Sequence, residues 1–130
     1  MDEYLAREAT AWPALDEALV NDRGSHGWSA AAVAAHVSFW MNRAVRGLEA
    51  IGAGTYRRED FAVDIDAENA RHLPEWSTAP LNGARADLAD ARTRLLAAWS
   101  ALGEPDDLAA QWFAGDTFDH YEEHLTSDGS

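Results

Sequence analysis

The chain of 130 residues fits one domain spanning residues 1–130, long enough to bury roughly two-thirds of its unfolded surface in a single core. It has neither cysteine nor lysine, its ten basic residues all being arginine, which excludes disulfides, a thiol nucleophile, thiolate metal ligands and Schiff-base chemistry. A net charge of −13 repels phosphate backbones and anionic lipid surfaces, and no run approaches the ~20 apolar residues that cross a bilayer, so neither nucleic acid nor membrane is expected as a partner. The opening MDEYLAREAT is acidic, without a basic start or an apolar stretch, which predicts no secretory signal and a soluble, cytoplasmic protein.

Helical spacing runs through the whole chain, and strand-like alternation is nowhere sustained. Leu5, Ala9, Trp12, Leu15 and Leu19 predict one amphipathic helix over about residues 2–20, which Pro13 is expected to kink or restart. Asn21 to Gly27 reads as a loop. A second helix starts at Ser29 as cap, with Trp28 placed to pack on Val33 as a hydrophobic staple. Val33, His36, Val37, Trp40, Ala44, Leu48 and Ile51 share its apolar face, and it ends near Gly52-Ala53-Gly54.

Thr55 to Val63 is irregular and charged, a long connection. Ile65 to Leu73 predicts a few helical turns that stop before Pro74. After Pro80 a strong pattern resumes with Leu81, Leu88, Leu95 and Leu102, ended by Gly103-Glu104-Pro105. Leu108 to Phe113 reads as a short turn, and a short final helix opens at Asp116 or Thr117, with residues 126–130 frayed. Trp28, Trp40, Trp99 and Trp112 are expected in the core. The sum predicts an all-α fold, a four-helix bundle.

The final helix carries His120-Tyr121-Glu122-Glu123-His124, a match to the H-x-x-E-H pattern of one class of zinc peptidases. That chemistry needs a third ligand well downstream, and only Leu125 to Ser130 follow, so the peptidase reading fails. The two histidines remain of interest, because side chains four apart on a helix project from one face and both rings reach one metal ion. Surface histidines near a helix C-terminus are the plain alternative.

A third ligand would come from upstream. His26 lies in a loop and His72 beside Pro74, and both are expected at the surface. His36 sits on the apolar face of the second helix, where a ring pointed at the core needs a partner. That partner is ordinarily a backbone group or carboxylate. With His120 and His124 it would instead complete a three-nitrogen site in the bundle.

The stretches Gly27 to Trp40, with Trp28-Ser29 and His36 through Trp40, Asp66-Ala67-Glu68-Asn69, and Thr117 to His124 together resemble the DinB/YfiT-like superfamily of metalloenzymes, which includes thiol-S-transferases. The resemblance implies an up-down-down-up bundle with a long connection between helices two and three, and a frequent homodimer. It also implies His36, His120 and His124 as metal ligands. The short final helix departs from the family pattern.

Three neutral imidazoles leave coordination positions open, as in catalytic sites, and zinc, nickel or iron would accept them. Two reactions follow: activation of a low-molecular-weight thiol such as mycothiol or bacillithiol for attack on a small-molecule electrophile, or activation of water for hydrolysis. Glu122, Glu123, Asp66 and Glu68 are candidates for a general base or for a carboxylate that orients a ligand ring, although most of the 23 acidic residues form a solvated face. The rival expectation is a non-catalytic bundle acting as a binding or dimerisation module.

Overall fold

The computed structural model describes residues 2–126. They form six α-helices: α1 (Glu3–Val20), α2 (Ala30–Ala53), α3 (Ile65–Thr78), α4 (Leu81–Ala101), α5 (Asp107–Asp116) and α6 (Phe118–Thr126). A 3-10 turn, Arg58–Phe61, lies in the connection between α2 and α3, and no strand forms among the described residues. None of these helices is long and apolar enough to cross a membrane.

Caps start the helices where the sequence offers them. Asp2 accepts from the amides of Tyr4 and Leu5, Ser29 from Ala32, Asp64 from Ala67 and Asp106 from Ala109. Each side chain satisfies amide groups that a helix cannot satisfy internally. The second carboxylate oxygen of Asp2 accepts from the Trp99 indole at 2.7 Å, fastening the start of α1 to α4.

The central element is α2, which packs along α4 and also meets α1, α3 and α5, while α1 and α5 hold α6. Alanine explains how one helix can touch four others. Ala30, Ala32, Ala34 and Ala44 are at most 1 % exposed and let neighbouring backbones come close. Leucines and aromatics then fill the seams: Leu15, Leu19, Val37, Met41, Leu48, Leu88, Leu95 and Phe113 are all buried. Each contributes about 1.5–3 kcal/mol by leaving water.

Three expectations change. The short turn expected at Leu108–Phe113 is the helix α5, capped by Asp106 and anchored by buried Ala109 and Phe113. Asp116 therefore ends α5 rather than opening the last helix, and the break falls at Thr117 (φ −122°, ψ −110°). Thr117 is buried, its hydroxyl donating to the Phe113 carbonyl at 2.7 Å while its own carbonyl receives the Tyr121 amide at 2.8 Å. Hydrogen bonding thus bridges the interruption.

The third expectation concerned Pro74, which lies inside α3 instead of stopping it. Proline lacks an amide and weakens one turn; beyond it Trp76, 6 % exposed, packs on Phe39, Trp28 and His36 and holds the last turn in place. Pro13 likewise lies within a continuous α1. The tail expected to fray lies outside the described residues except for Thr126, which ends α6.

Candidate metal centre

The N-terminal third of α2 and the length of α6 bring His36, His120 and His124 together. All three are buried, 6–9 % exposed. Nε2 of His36 lies 2.9 Å from Nε2 of His120, which in turn lies 3.1 Å from Nε2 of His124. The three residues' ligand atoms lie within 4.8 Å of one another, so the cluster could hold a metal ion.

The remote ring nitrogens show which way the rings face. Nδ1 of His124 meets the Ser25 hydroxyl at 2.7 Å, whereas Nδ1 of His36 and of His120 are buried without a hydrogen-bond partner. Asn69 lies beside His36, where side-chain hydrogen bonding opposes part of the burial effect, and its amide oxygen also accepts from the Trp40 indole at 2.8 Å. The nitrogens thus converge on one another and not on a carboxylate.

Two of the three nitrogen separations are those of neighbouring ligands on one cation. Metal–imidazole bonds of about 2.0–2.1 Å subtend nitrogen separations near 3 Å at angles of roughly 90–100°. With neutral rings, a single nitrogen either donates or accepts, so the two contacts to His120 Nε2 would have to share one proton or one lone pair and cannot both be ordinary hydrogen bonds. Burial also keeps the rings neutral, the form that binds metal. Desolvation first, then the charge of His124, lowers His36 from 6.5 to about 3. Desolvation lowers His124 to about 4, with His26 adding to it, and holds His120 well below 6.5, with His36 and His124 adding.

Aromatic rings wall the cluster. Trp28, expected as a staple on Val33, stands edge-on to His36 with ring centroids 4.8 Å apart, and Trp76 does the same at 5.3 Å. Trp40, a turn further along α2, is 5 % exposed. A cavity of about 160 Å³ reaches His124 beside Ser25, Gly24, Arg23 and Leu125. The larger grooves lie elsewhere, about 540 Å³ between α1 and α6 and about 560 Å³ between α2 and α4.

No family model, curated protein or solved structure matches the chain. The likeness to the DinB/YfiT-like superfamily therefore rests on the short motifs alone, and the chemistry must be read from the geometry.

The other sequence candidates are distributed around this centre. His26 is exposed, as expected, but its ring is edge-on to His124 at 5.4 Å. His72 is only partly exposed: it packs between Phe39 (4.7 Å) and Trp76 (5.5 Å) and pairs with Glu68 at 3.3 Å, because α3 continues past Pro74 and lays this face on α2. Glu68 is engaged by Arg71 at 2.6 Å, and that bond lowers its pKa. Asp66, Glu122 and Glu123 are exposed. No carboxylate joins the histidine cluster among the described residues.

Sequence reasoning missed Ser25, Trp76 and the state of Asp116. Nothing local marks Ser25, which lies 99 positions from His124. Trp76 was hidden by the proline expected to end its helix. Asp116 keeps partial exposure, yet loss of solvent around its carboxyl pushes it from 3.8 up to about 7, with Arg43 opposing the shift.

Proposed function

We propose that this chain is a metal-dependent enzyme of the DinB-like type, holding a divalent ion through Nε2 of His36, His120 and His124. The convergence of three buried ring nitrogens at 2.9 and 3.1 Å, with no carboxylate among them, carries the reading. An up-down-down-up topology is part of the proposal; it is supported by the long connection from Gly54 to Asp64 and by α5 and α6 following one another in the place of a fourth helix.

Zinc, nickel or ferrous iron bound here would lower the pKa of a coordinated water or thiol and supply a nucleophile near neutral pH. The protein's own groups prepare the site: burial keeps the imidazoles deprotonated, and Trp28 and Trp76 limit access of bulk water. The cavity at His124, about 160 Å³, is well below the ~300–1,000 Å³ of ordinary small-molecule sites. That size favours water or a small thiol over a bulky one such as mycothiol or bacillithiol. Homodimerisation and a cytoplasmic location belong to the same reading.

The test is metal content of tag-free protein by elemental analysis, in wild type and in His36→Ala and His120→Ala. One equivalent in wild type, lost in both variants while their helicity persists, supports the proposal. A metal-free wild type that takes up none of the three ions would leave the rival reading, a helical binding or dimerisation module. Turnover of a general electrophile or ester that survives chelation would remove the metal from the chemistry.

A further inference from the structure

We propose that Ser25 is a positioning residue of the metal centre, holding the His124 ring through Nδ1 so that Nε2 stays turned toward His36 and His120. The inference rests on the metal reading above and adds the group that orients one ligand.

Ser25 is 2 % exposed, and its hydroxyl oxygen lies 2.7 Å from His124 Nδ1. A neutral imidazole carries one proton. With Nδ1–H donating to Ser25, the Nε2 lone pair is left for an ion, the arrangement by which outer groups tune metal-bound histidines.

The backbone around Ser25 is unusually constrained for a loop. Ser25 and Trp28 exchange both backbone hydrogen bonds, at 3.2 and 2.8 Å, around His26 (φ 54°) and Gly27 (φ 79°). Two consecutive left-handed residues make a tight turn of the primed hairpin type. Glycine adopts such a conformation freely, but for histidine it carries strain of order 1–2 kcal/mol. The surroundings hold it there. Arg23 and Asp22 donate to the carbonyls of Ala18 and Leu19 at the end of α1, and a Cβ on Gly24 would lie 1.8 Å from the Trp28 carbonyl oxygen. Only glycine fits at position 24, where the chain crosses closely over the Trp28 and Ser29 backbone.

The need for such a hold is specific to His124. His36 is the seventh residue of the 24-residue α2, well inside the helix, and His120 is flanked by buried Thr117 and Tyr121. His124 lies in the last turn of α6, two residues from its end. The ligand nearest the end of its helix is the one whose Nδ1–H is fixed by a hydroxyl from outside that helix.

The experiment compares tag-free wild type with Ser25→Ala and Ser25→Thr in two readouts. Zinc affinity is measured by chelator competition, and the ring ¹⁵N shifts of His124 report its tautomer in metal-free protein at neutral pH. The expected result is a 10–100-fold weaker zinc Kd in Ser25→Ala, a shift of the His124 proton from Nδ1 toward Nε2, and recovery of both in Ser25→Thr. A zinc Kd within twofold of wild type together with an unchanged tautomer overturns the proposal. The tautomer is independent of metal, so a wild type that binds no zinc fails the metal reading while the ring shifts still decide the role of Ser25. Should Ser25→Ala not fold, the wild-type spectrum decides: an Nε2–H tautomer for His124 refutes it.

Discussion

Two clusters of buried polar groups meet at α6, and they are built in opposite ways. On one side Tyr121, fully buried, donates its hydroxyl to Glu8 at 2.9 Å, and Arg92 reaches the same carboxylate with two bonds of 2.6 and 2.8 Å. Trp12 lies against both, its ring 4.7 Å from the Arg92 guanidinium and 5.5 Å from Tyr121. On the other side His36, His120 and His124 turn nitrogens toward nitrogens. The first cluster is closed: cation faces anion, and the phenol is satisfied. The second is complementary to a positive charge that the protein does not itself supply. A buried polar group is costly unless paired, so the closed cluster explains itself as a clamp joining α1, α4 and α6, whereas the open one could hold a metal ion.

Breaking the closed cluster should have the largest effect on folding. Glu8→Ala removes the anion from a buried pair and strands Arg92 and Tyr121, and should cost roughly 3 kcal/mol in urea denaturation of metal-free protein. A loss below about 1 kcal/mol would show that the network is no clamp.

The open cluster should respond to ions instead. Zinc at one hundred times its Kd should stabilise wild type by about 2.7 kcal/mol and His120→Ala not at all. Thermal melts with and without zinc read this directly, and equal shifts in the two proteins would point to binding elsewhere.

Acid should act on the metal-free histidines in a defined direction. Their folded pKa values lie below 6.5, at about 3 for His36 and about 4 for His124, with His120 also lowered. Between those values and 6.5 the unfolded chain takes up protons that the folded chain refuses. This contribution to stability is therefore complete above pH 6.5 and declines as pH falls toward 4. Melting temperature should drop across that window in wild type and less in His120→Gln; parallel profiles would argue against burial as the cause.

The smallest effect tests whether fold and site are separable. Ser29→Ala removes the cap of α2 and should cost about 1 kcal/mol without changing zinc affinity. A parallel loss of zinc binding, measured by chelator competition, would show that the start of α2 is coupled to His36.

Periodicity located the long helices because it is a local property: apolar residues at helical spacing mark α1, α2 and α4, and Ser29 marks the start of α2 at sequence level. It failed where tertiary contacts overruled a local signal. Pro74 signals a stop, and α3 continues because Trp76 is buried beyond it. Leu108 to Phe113 is too short to show a period, and forms α5 because Ala109 and Phe113 find the core.

The same division runs through the site. Composition alone determined that cysteine and lysine chemistry is absent and that no metal is held by thiolate, and spacing alone put His120 and His124 on one helical face. Only the tertiary structure decided that His36, 84 positions away, comes to 2.9 Å of His120, that Ser25 meets His124, and that Tyr121 bonds to Glu8. Helical register is written in neighbours along the chain. Which helix faces meet is set by the packing of the whole core, and that information is spread over every buried side chain.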